Sequence, residues 1–292
     1  IATAITAGDE HTCALLDNSS VKCWGKNSSG QLGLGDTSNR GDGSNEMGDN
    51  LTSIDLGSGR IATAITAGDE HTCALLDNAS VKCWGENDKG QLGLGNRDDR
   101  GDGIGGMGDS LPAVDMGSGR TATSITTGTE YTCVLLDDDS VKCWGRGHVG
   151  QLGNEKTEDR GDEPGETGEG FAKVDLGSNR TATAIAAGNF HTCAILDNSS
   201  IKCWGLNDSG QLGIGDTNNR VYLGEDLPAV DLGAGRTARG IAAGDSHTCA
   251  MLDNTSIKCW GKNESGQLGL GDTIDRGDGS NEMGDNLPVI GL

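Results

Sequence analysis

Aromatic residues are scarce in this chain, basic residues never cluster, and no hydrophobic run is long. Phe, Trp and Tyr make up 3% of 292 residues, against 50 Gly. That ratio describes a turn-rich chain, although an apolar content of 34% at this length suffices for a sizeable core. No stretch approaches the roughly 18 consecutive apolar residues of a membrane-spanning helix, which excludes that class. A formal charge of −22 without a run of Lys or Arg excludes a nucleic-acid surface, because phosphate binding needs clustered cations. Cationic partners or metal ions are better electrostatic matches, beside the plain reading of a solvated surface that keeps the chain soluble. Ile1 opens directly in repeat sequence with no signal or transit segment, as expected of a soluble mature or excerpted region. Nor is there a nucleophile elbow, a phosphate-cradling loop or a metalloprotease helix. The chain is therefore read as non-enzymatic, with no catalytic, cofactor-binding or metal residue assigned.

What is present is repetition. Aligning the cysteines divides the chain into units spanning 1–60, 61–120, 121–180, 181–236 and 237–292, read together as a single domain over 1–292. Within a unit, "TAITAG", "HTCALLD" and "SVKCWG" are short strand-like runs bounded by Gly, Asp, Asn or Ser, and "LPAVDMG" in the second unit is a fourth. A four-stranded antiparallel sheet of this size cannot cover its own two faces and must stack on copies of itself. The expected fold is all-β, a β-propeller of five four-stranded blades, with an open array or part of a larger propeller as alternatives. Closure would bury the edges of the end sheets and bring Ile5 near the fifth blade.

The first unit reads I-x2-G-x2-H-T-C-A-x-L, then V-K-C-W-G, then N-x2-G-Q-L-G-x-G. It resembles the repeat of the regulator of chromosome condensation family, which forms β-propellers. The core from Trp-Gly to Gln-Leu-Gly recurs at Trp24 to Gly33, Trp84 to Gly93, Trp144 to Gly153, Trp204 to Gly213 and Trp260 to Gly269. The third unit is the loosest copy, with Tyr131 for His and Gly147 for Asn. The chain departs from the family in its five units where the best-known members have seven, in its cysteine pairs, and in hairpin turns that carry Asn-Ser where Gly is usual. The resemblance implies a binding propeller and blade-joining roles for Gln31 and its counterparts.

Pairing "HTCALLD" with "SVKCWG" about a turn centred on Asn18 sets Cys13 opposite Cys23 and Leu15 opposite Val21. The same spacing couples Cys73 with Cys83, Cys133 with Cys143, Cys193 with Cys203, and Cys249 with Cys259. Directly opposed cross-strand residues lie near the Cα separation a disulfide tolerates. Zinc is a poor alternative, since one unit offers two thiolates and at most one His. Five disulfides imply an oxidising compartment, so the chain is expected to be secreted, extracellular or periplasmic.

Other repeated residues read mainly as fold: Gly30 and Gly33 as turn formers, Gln31 as a partner for backbone groups, the five Trp as packing rather than ligand-stacking platforms. The loop after each "QLG" varies, and such loops carry function in repeat proteins. Asp42, Glu46 and Asp49 offer oxygen ligands that could suit calcium, without the spacing of the helix-loop-helix motif. "RGD" occurs from Arg40, Arg100, Arg160 and Arg276, a weak tripeptide signal in Gly- and Asp-rich loops. Candidate N-glycosylation sequons stand at Asn18, Asn78, Asn198 and Asn254 on hairpin tips, at Asn27, Asn207 and Asn263 after the Trp, and at Asn50 and Asn179. Two function classes follow. One is an extracellular scaffold that presents acidic loops to a protein or glycan, and the other is a self-associating building block of an array or filament. Regulation of a small GTPase, the namesake activity, ranks third because that role is intracellular. Nucleic acid and membrane insertion are not expected.

Overall fold

A computed structural model describes residues 1–291, and the chain divides into two compact units. The first comprises Ile1–Asp138, Lys142–Arg146 and Asp159–Ala172; the second comprises Asp139–Val141, Gly147–Glu158 and the chain from Lys173 onward. In the first unit lie β1 (Ala2–Ala7), β2 (His11–Leu16), β3 (Val21–Gly25), β4 (Ala62–Ala67), β5 (His71–Leu76), β6 (Val81–Gly85), β7 (Ala122–Thr127), β8 (Tyr131–Leu136) and most of β9 (Val141–Gly145). The second unit contains β10 (Ala182–Ala187), β11 (His191–Leu196), β12 (Ile201–Gly205), β13 (Ala238–Ala243), β14 (His247–Leu252) and β15 (Ile257–Gly261). Each consecutive trio forms its own sheet in chain order, one blade per repeat.

Each blade has three strands, not the expected four. The fourth run docks beside the third strand through one backbone bond: Ile54 N donates to Val21 O, Val114 N to Val81 O, and Val230 N to Ile201 O. Two of its carbonyls serve the next blade. Gly108 N donates to Asp55 O, and Lys82 Nζ donates to both Leu56 O and Gly108 O. A backbone whose carbonyls are engaged sideways cannot also form a ladder with its own sheet. The apolar residues that suggested a strand are real anchors, because Ile54 and Leu56 are buried.

The hairpins have the anticipated register. Cys13 opposes Cys23 and Leu15 opposes Val21, a pairing repeated in the second, fourth and fifth sheets. At each turn a residue other than Gly takes the left-handed conformation: Ser19, Ala79, Asp139, Ser199 and Thr255, with φ from 59° to 68°. The preceding Asn supports it, since Asn18 Oδ1 accepts from both Ser20 N and Ser20 Oγ. This side-chain turn replaces the conformational freedom of the family's usual Gly.

The core lies between stacked sheets. Cys13, Leu15 and Val21 of the first sheet share one cluster with Ala62, Leu76 and Trp84 of the second and its neighbouring turn. Being covered on both faces, β5 is buried along its whole length, which is why "HTCALL" carries no alternation of polar and apolar residues. Five disulfides cross-link the hairpins, Cys13–Cys23, Cys73–Cys83, Cys133–Cys143, Cys193–Cys203 and Cys249–Cys259, with Cα separations of 4.0 to 4.1 Å.

Closing a ring of roughly eleven residues should stabilise each hairpin by about 2.5–3 kcal/mol through lost chain entropy in the unfolded state. The double substitution Cys73→Ala with Cys83→Ala is therefore expected to lower the free energy of unfolding by about that amount. Urea denaturation followed by Trp fluorescence measures it, and unchanged stability would contradict the entropic role.

Candidate functional site

One hydrogen-bonded joint recurs between successive blades. Trp84 Nε1 donates to Gln31 O at 3.0 Å, and Trp144, Trp204 and Trp260 do the same to Gln91, Gln151 and Gln211. The same carbonyls accept the hydroxyl protons of Thr72, Thr132, Thr192 and Thr248 at 2.9 to 3.0 Å. These four Trp side chains are fully buried, so they cannot serve as stacking platforms for a ligand. The expectation that the Gln side chain bridges blades also needs correction. Gln31 Oε1 accepts from Ser29 N in its own turn, and it is the Gln backbone that joins the blades.

The His of the first, second and fourth repeats completes this joint. His71 Nε2 lies 3.0 Å from Thr132 Oγ1, and the single hydroxyl proton of Thr132 already goes to Gln91 O. The imidazole must therefore donate, which fixes its tautomer with hydrogen on Nε2. Burial pushes the pKa of His71 down to about 3, with the charge of His11 adding to the effect. His71 is thus a neutral structural donor over the physiological range. Tyr131 occupies the same buried position in the third repeat.

The loops after "QLG" are built by the same economy. Asn27 Oδ1 accepts from Leu32 N while Nδ2 donates to Asp36 O, and Arg40 folds back onto Asp36 Oδ2 and Ser38 O. Arg220 makes the equivalent bonds to Asp216 and Asn218 although no Gly-Asp follows it. The Arg of the RGD stretches is thus a loop staple and is not held out for a partner. Glu46 Oε2 accepts from Gly41 N and Gly43 N, and Glu282 repeats this with Gly277 and Gly279. At the position of Asp49, Asp109 accepts from Ser58 N and Oγ of the preceding blade, and Asp285 from Ala234 N. Asp42, Glu46 and Asp49 are not brought together as a cluster among the described residues.

The sequons fall into two environments. Asn18, Asn78, Asn198 and Asn254 are exposed at hairpin tips, and Asn50 and Asn179 are exposed as well. Asn27, Asn207 and Asn263 are fully buried, with each Nδ2 donating into its own loop.

A different acidic group does assemble. Carboxylate oxygens of Glu86, Asp88 and Glu130 lie within 4.8 Å of one another. In the first blade the position of Glu86 is Lys26, which bridges Glu10 at 2.8 Å and Glu70 of the next blade at 2.6 Å. Arg146 occupies it in the third and pairs with Glu130. Glu86 thus reverses the charge at a position where Lys26, Arg146 and Lys262 pair with acids and the fourth repeat has Leu206. Burial, then the charge of Asp88, raises its pKa to about 7. Comparing that one position across the five repeats would have exposed the reversal.

The surface that varies most is the rim formed by these loops. Ile104 and Tyr222 stand fully or largely exposed there, joined by Met47 and Ile274. Grooves also open between neighbouring blades, and Ile104 lines one of them. In the first unit a groove of about 300 Å³ runs between Leu34 and Gly35 on one side and Ile104 and Met107 on the other. In the second unit its counterpart of about 490 Å³ lies between Ile214 and Gly215 and Asn281 and Met283, with Asp231 and Asp285 at its wall.

Stacked three-stranded blades, joined through a Trp, a Thr and a Gln carbonyl, define a repeat protein of the propeller class. The chain belongs to the RCC1-like domain family, whose model matches residues 1–289. It is 29% identical over 280 residues to the ultraviolet-B receptor UVR8 of Arabidopsis thaliana, covering 93% of this chain and 56% of that protein. It is 26% identical over 247 residues to the E3 ubiquitin-protein ligase HERC2 of Homo sapiens, covering 84% of this chain and 5% of that protein. The chain thus spans little more than half of the one relative and a small part of the other. A chain from the crystal structure of Kap60 bound to yeast RCC1 (Prp20) matches with a TM-score of 0.72 at 24% identity, over 91% of this chain and 57% of that one. Human WBSCR16 matches with a TM-score of 0.74 at 18% identity, over 99% and 66%. These two likenesses show the fold. Among the described residues, no helix is long and apolar enough to cross a membrane.

Glu86 and His71 pull the pH dependence of stability in opposite directions. Between about pH 4.5 and pH 7 the folded chain keeps a proton on Glu86 that the unfolded chain has lost, so stability falls as pH rises through that window. His71 remains neutral when folded but gains a proton below about pH 6.5 when unfolded, so its contribution is lost as pH falls toward 3. Glu86→Gln is expected to leave the melting temperature at pH 4 near that of the parent and to raise it at pH 8. Thermal unfolding across this range tests the assignment, and parallel curves for the two proteins would reject it.

Proposed function

We propose that this chain is a non-enzymatic binding scaffold of an oxidising compartment, whose post-"QLG" loops hold a protein partner carrying basic residues beside an apolar anchor. The observation that supports this reading is the placing of exposed apolar side chains. Met47, Ile104, Tyr222 and Ile274 all lie in the variable loops, Ile104 on the wall of an inter-blade groove, within a chain of net charge −22. Exposed apolar residues ringed by polar ones mark interaction surfaces, while the surrounding acid favours association with cations and makes it salt-sensitive. The disulfides agree with a secreted, extracellular or periplasmic setting. One relative of this fold, yeast Prp20, is described in one structure as bound to Kap60 and in another by its binding to Gsp1p and histones; for this chain a protein partner is our inference. Were glycans attached, the exposed hairpin-tip sequons are the acceptors we propose. A sugar on Asn27, Asn207 or Asn263 would displace the bonds that close their loops.

Selection of displayed random peptides on the immobilised chain tests the reading. Enriched peptides should carry net positive charge with an apolar anchor, lose affinity as salt rises, and bind at least about tenfold more weakly to Ile104→Asp or Tyr222→Asp. Enrichment of peptides whose binding ignores both substitutions would place the partner elsewhere.

A further inference from the structure

We propose that Asp102 is a modification site: Asp102 and Gly103 isomerise to isoaspartate through a succinimide, because the second repeat lacks the glutamate that holds the same glycine amide in the first and fifth. The reaction needs only water, so it holds whatever the loops bind.

Asp-Gly occurs three times in the chain, at Asp42, Asp102 and Asp278, each time after Arg-Gly at the same place in its loop. Glycine has no Cβ to shield its nitrogen, so at these pairs the backbone amide is most open to the preceding side chain. In the first loop Glu46 Oε2 accepts from Gly43 N at 2.8 Å, and in the fifth Glu282 Oε2 accepts from Gly279 N at 2.9 Å. A Cβ added at Gly43 or Gly279 would meet that carboxylate at 2.8 or 3.0 Å.

The second loop has Gly106 where these glutamates stand. It is closed from the other side, by Gly106 N donating to Gly103 O at 3.1 Å. Among the described residues nothing accepts from Gly103 N, and a Cβ there would meet nothing within 4 Å. The Asp102 carboxylate is exposed and forms no hydrogen bond or ion pair among the described residues. Nucleophile and carboxyl are therefore both free, one bond apart in the chain.

The Gly103 nitrogen bonds to Asp102 Cγ, and its proton leaves with the carboxyl hydroxyl as water, closing a five-membered imide. Water then opens the ring at either carbonyl. One opening restores aspartate; the other runs the chain through the former side-chain carbonyl and leaves the former backbone carbonyl as the free carboxylate. Mass is unchanged and the backbone gains one methylene. In the other two loops the glutamate retains the amide proton, and its charge opposes the amide anion that attacks. Gly101 O is tied to Gly35 N and Met107 packs on the core, so the added length falls on the stretch between them, which carries the exposed Ile104.

Ageing the whole chain at neutral pH and digesting it with trypsin reads all three pairs at once, because Arg40, Arg100 and Arg276 place each in its own peptide. Isoaspartate separates chromatographically at unchanged mass, and electron-transfer fragmentation locates it. Asp102 should isomerise at least about tenfold faster than Asp42 or Asp278, the rate equivalent of one charge-assisted hydrogen bond. In concentrated urea the three rates should converge. Gly106→Glu, with folding certified by thermal unfolding, should slow Asp102 to the rate of the other two, and Glu282→Ala should raise Asp278 toward that of Asp102. Equal rates at Asp102 and Asp278 in the folded chain would overturn the proposal, as would an excess at Asp102 that persists in urea. No rise at Asp278 in Glu282→Ala, or no fall at Asp102 in a folded Gly106→Glu, would overturn the protective role of the glutamate.

Discussion

Everything in this chain hangs on one carbonyl per repeat. The oxygen of Gln31, like those of Gln91, Gln151 and Gln211, accepts an indole proton and a hydroxyl proton from the following blade. A carbonyl has two lone pairs, and both are occupied in a place closed to water, where an unpaired acceptor would be costly. The turn holding that oxygen must keep its shape, which explains the fixed residues around it. Gln31 Oε1 closes the turn from within, Asn27 pins the Leu32 amide, and Gly33 leaves room for the indole. A blade is accordingly positioned by its neighbour's backbone more than by any side chain of its own.

Much of this was legible because repetition multiplies weak signals. Two cysteines ten residues apart are ambiguous once, yet five copies with the same intervening pattern impose one hairpin register, and the structure has that register. The Trp is recognisable as packing for the same reason. The fourth segment is where pattern failed. "LPAVDMG" has the apolar content of a strand, but Leu111, Val114 and Met116 are anchors against the core, and the backbone between them bonds to the adjacent blade. Apolar spacing reports burial and says nothing of where carbonyls point.

Two functional features were hidden for a related reason. The grouping of Glu86 with Asp88 and Glu130 joins residues from different repeats, and only stacking makes them neighbours. Likewise, Glu46 and Asp109 look like ligands in a list of acids, while in space they cap backbone amides of a turn or of the previous blade. The acidity of the loops is thus partly internal: carboxylates stand in for the missing acceptors of a Gly-rich backbone that forms little regular structure.

The missing fourth strand leaves its mark on solubility. The outer edge of the third strand would otherwise be a row of bare amides and carbonyls open to any extended peptide. Here the irregular segment lies over that edge, taking one bond per blade and turning other carbonyls toward the next blade, Asp55 O to Gly108 N and Leu56 O to Lys82 Nζ. An incoming strand finds a kinked, charged ribbon with no register to extend. Stacked sheets can therefore meet other molecules by face or by loop while their third-strand edges stay closed to the strand-on-strand growth that leads to amyloid.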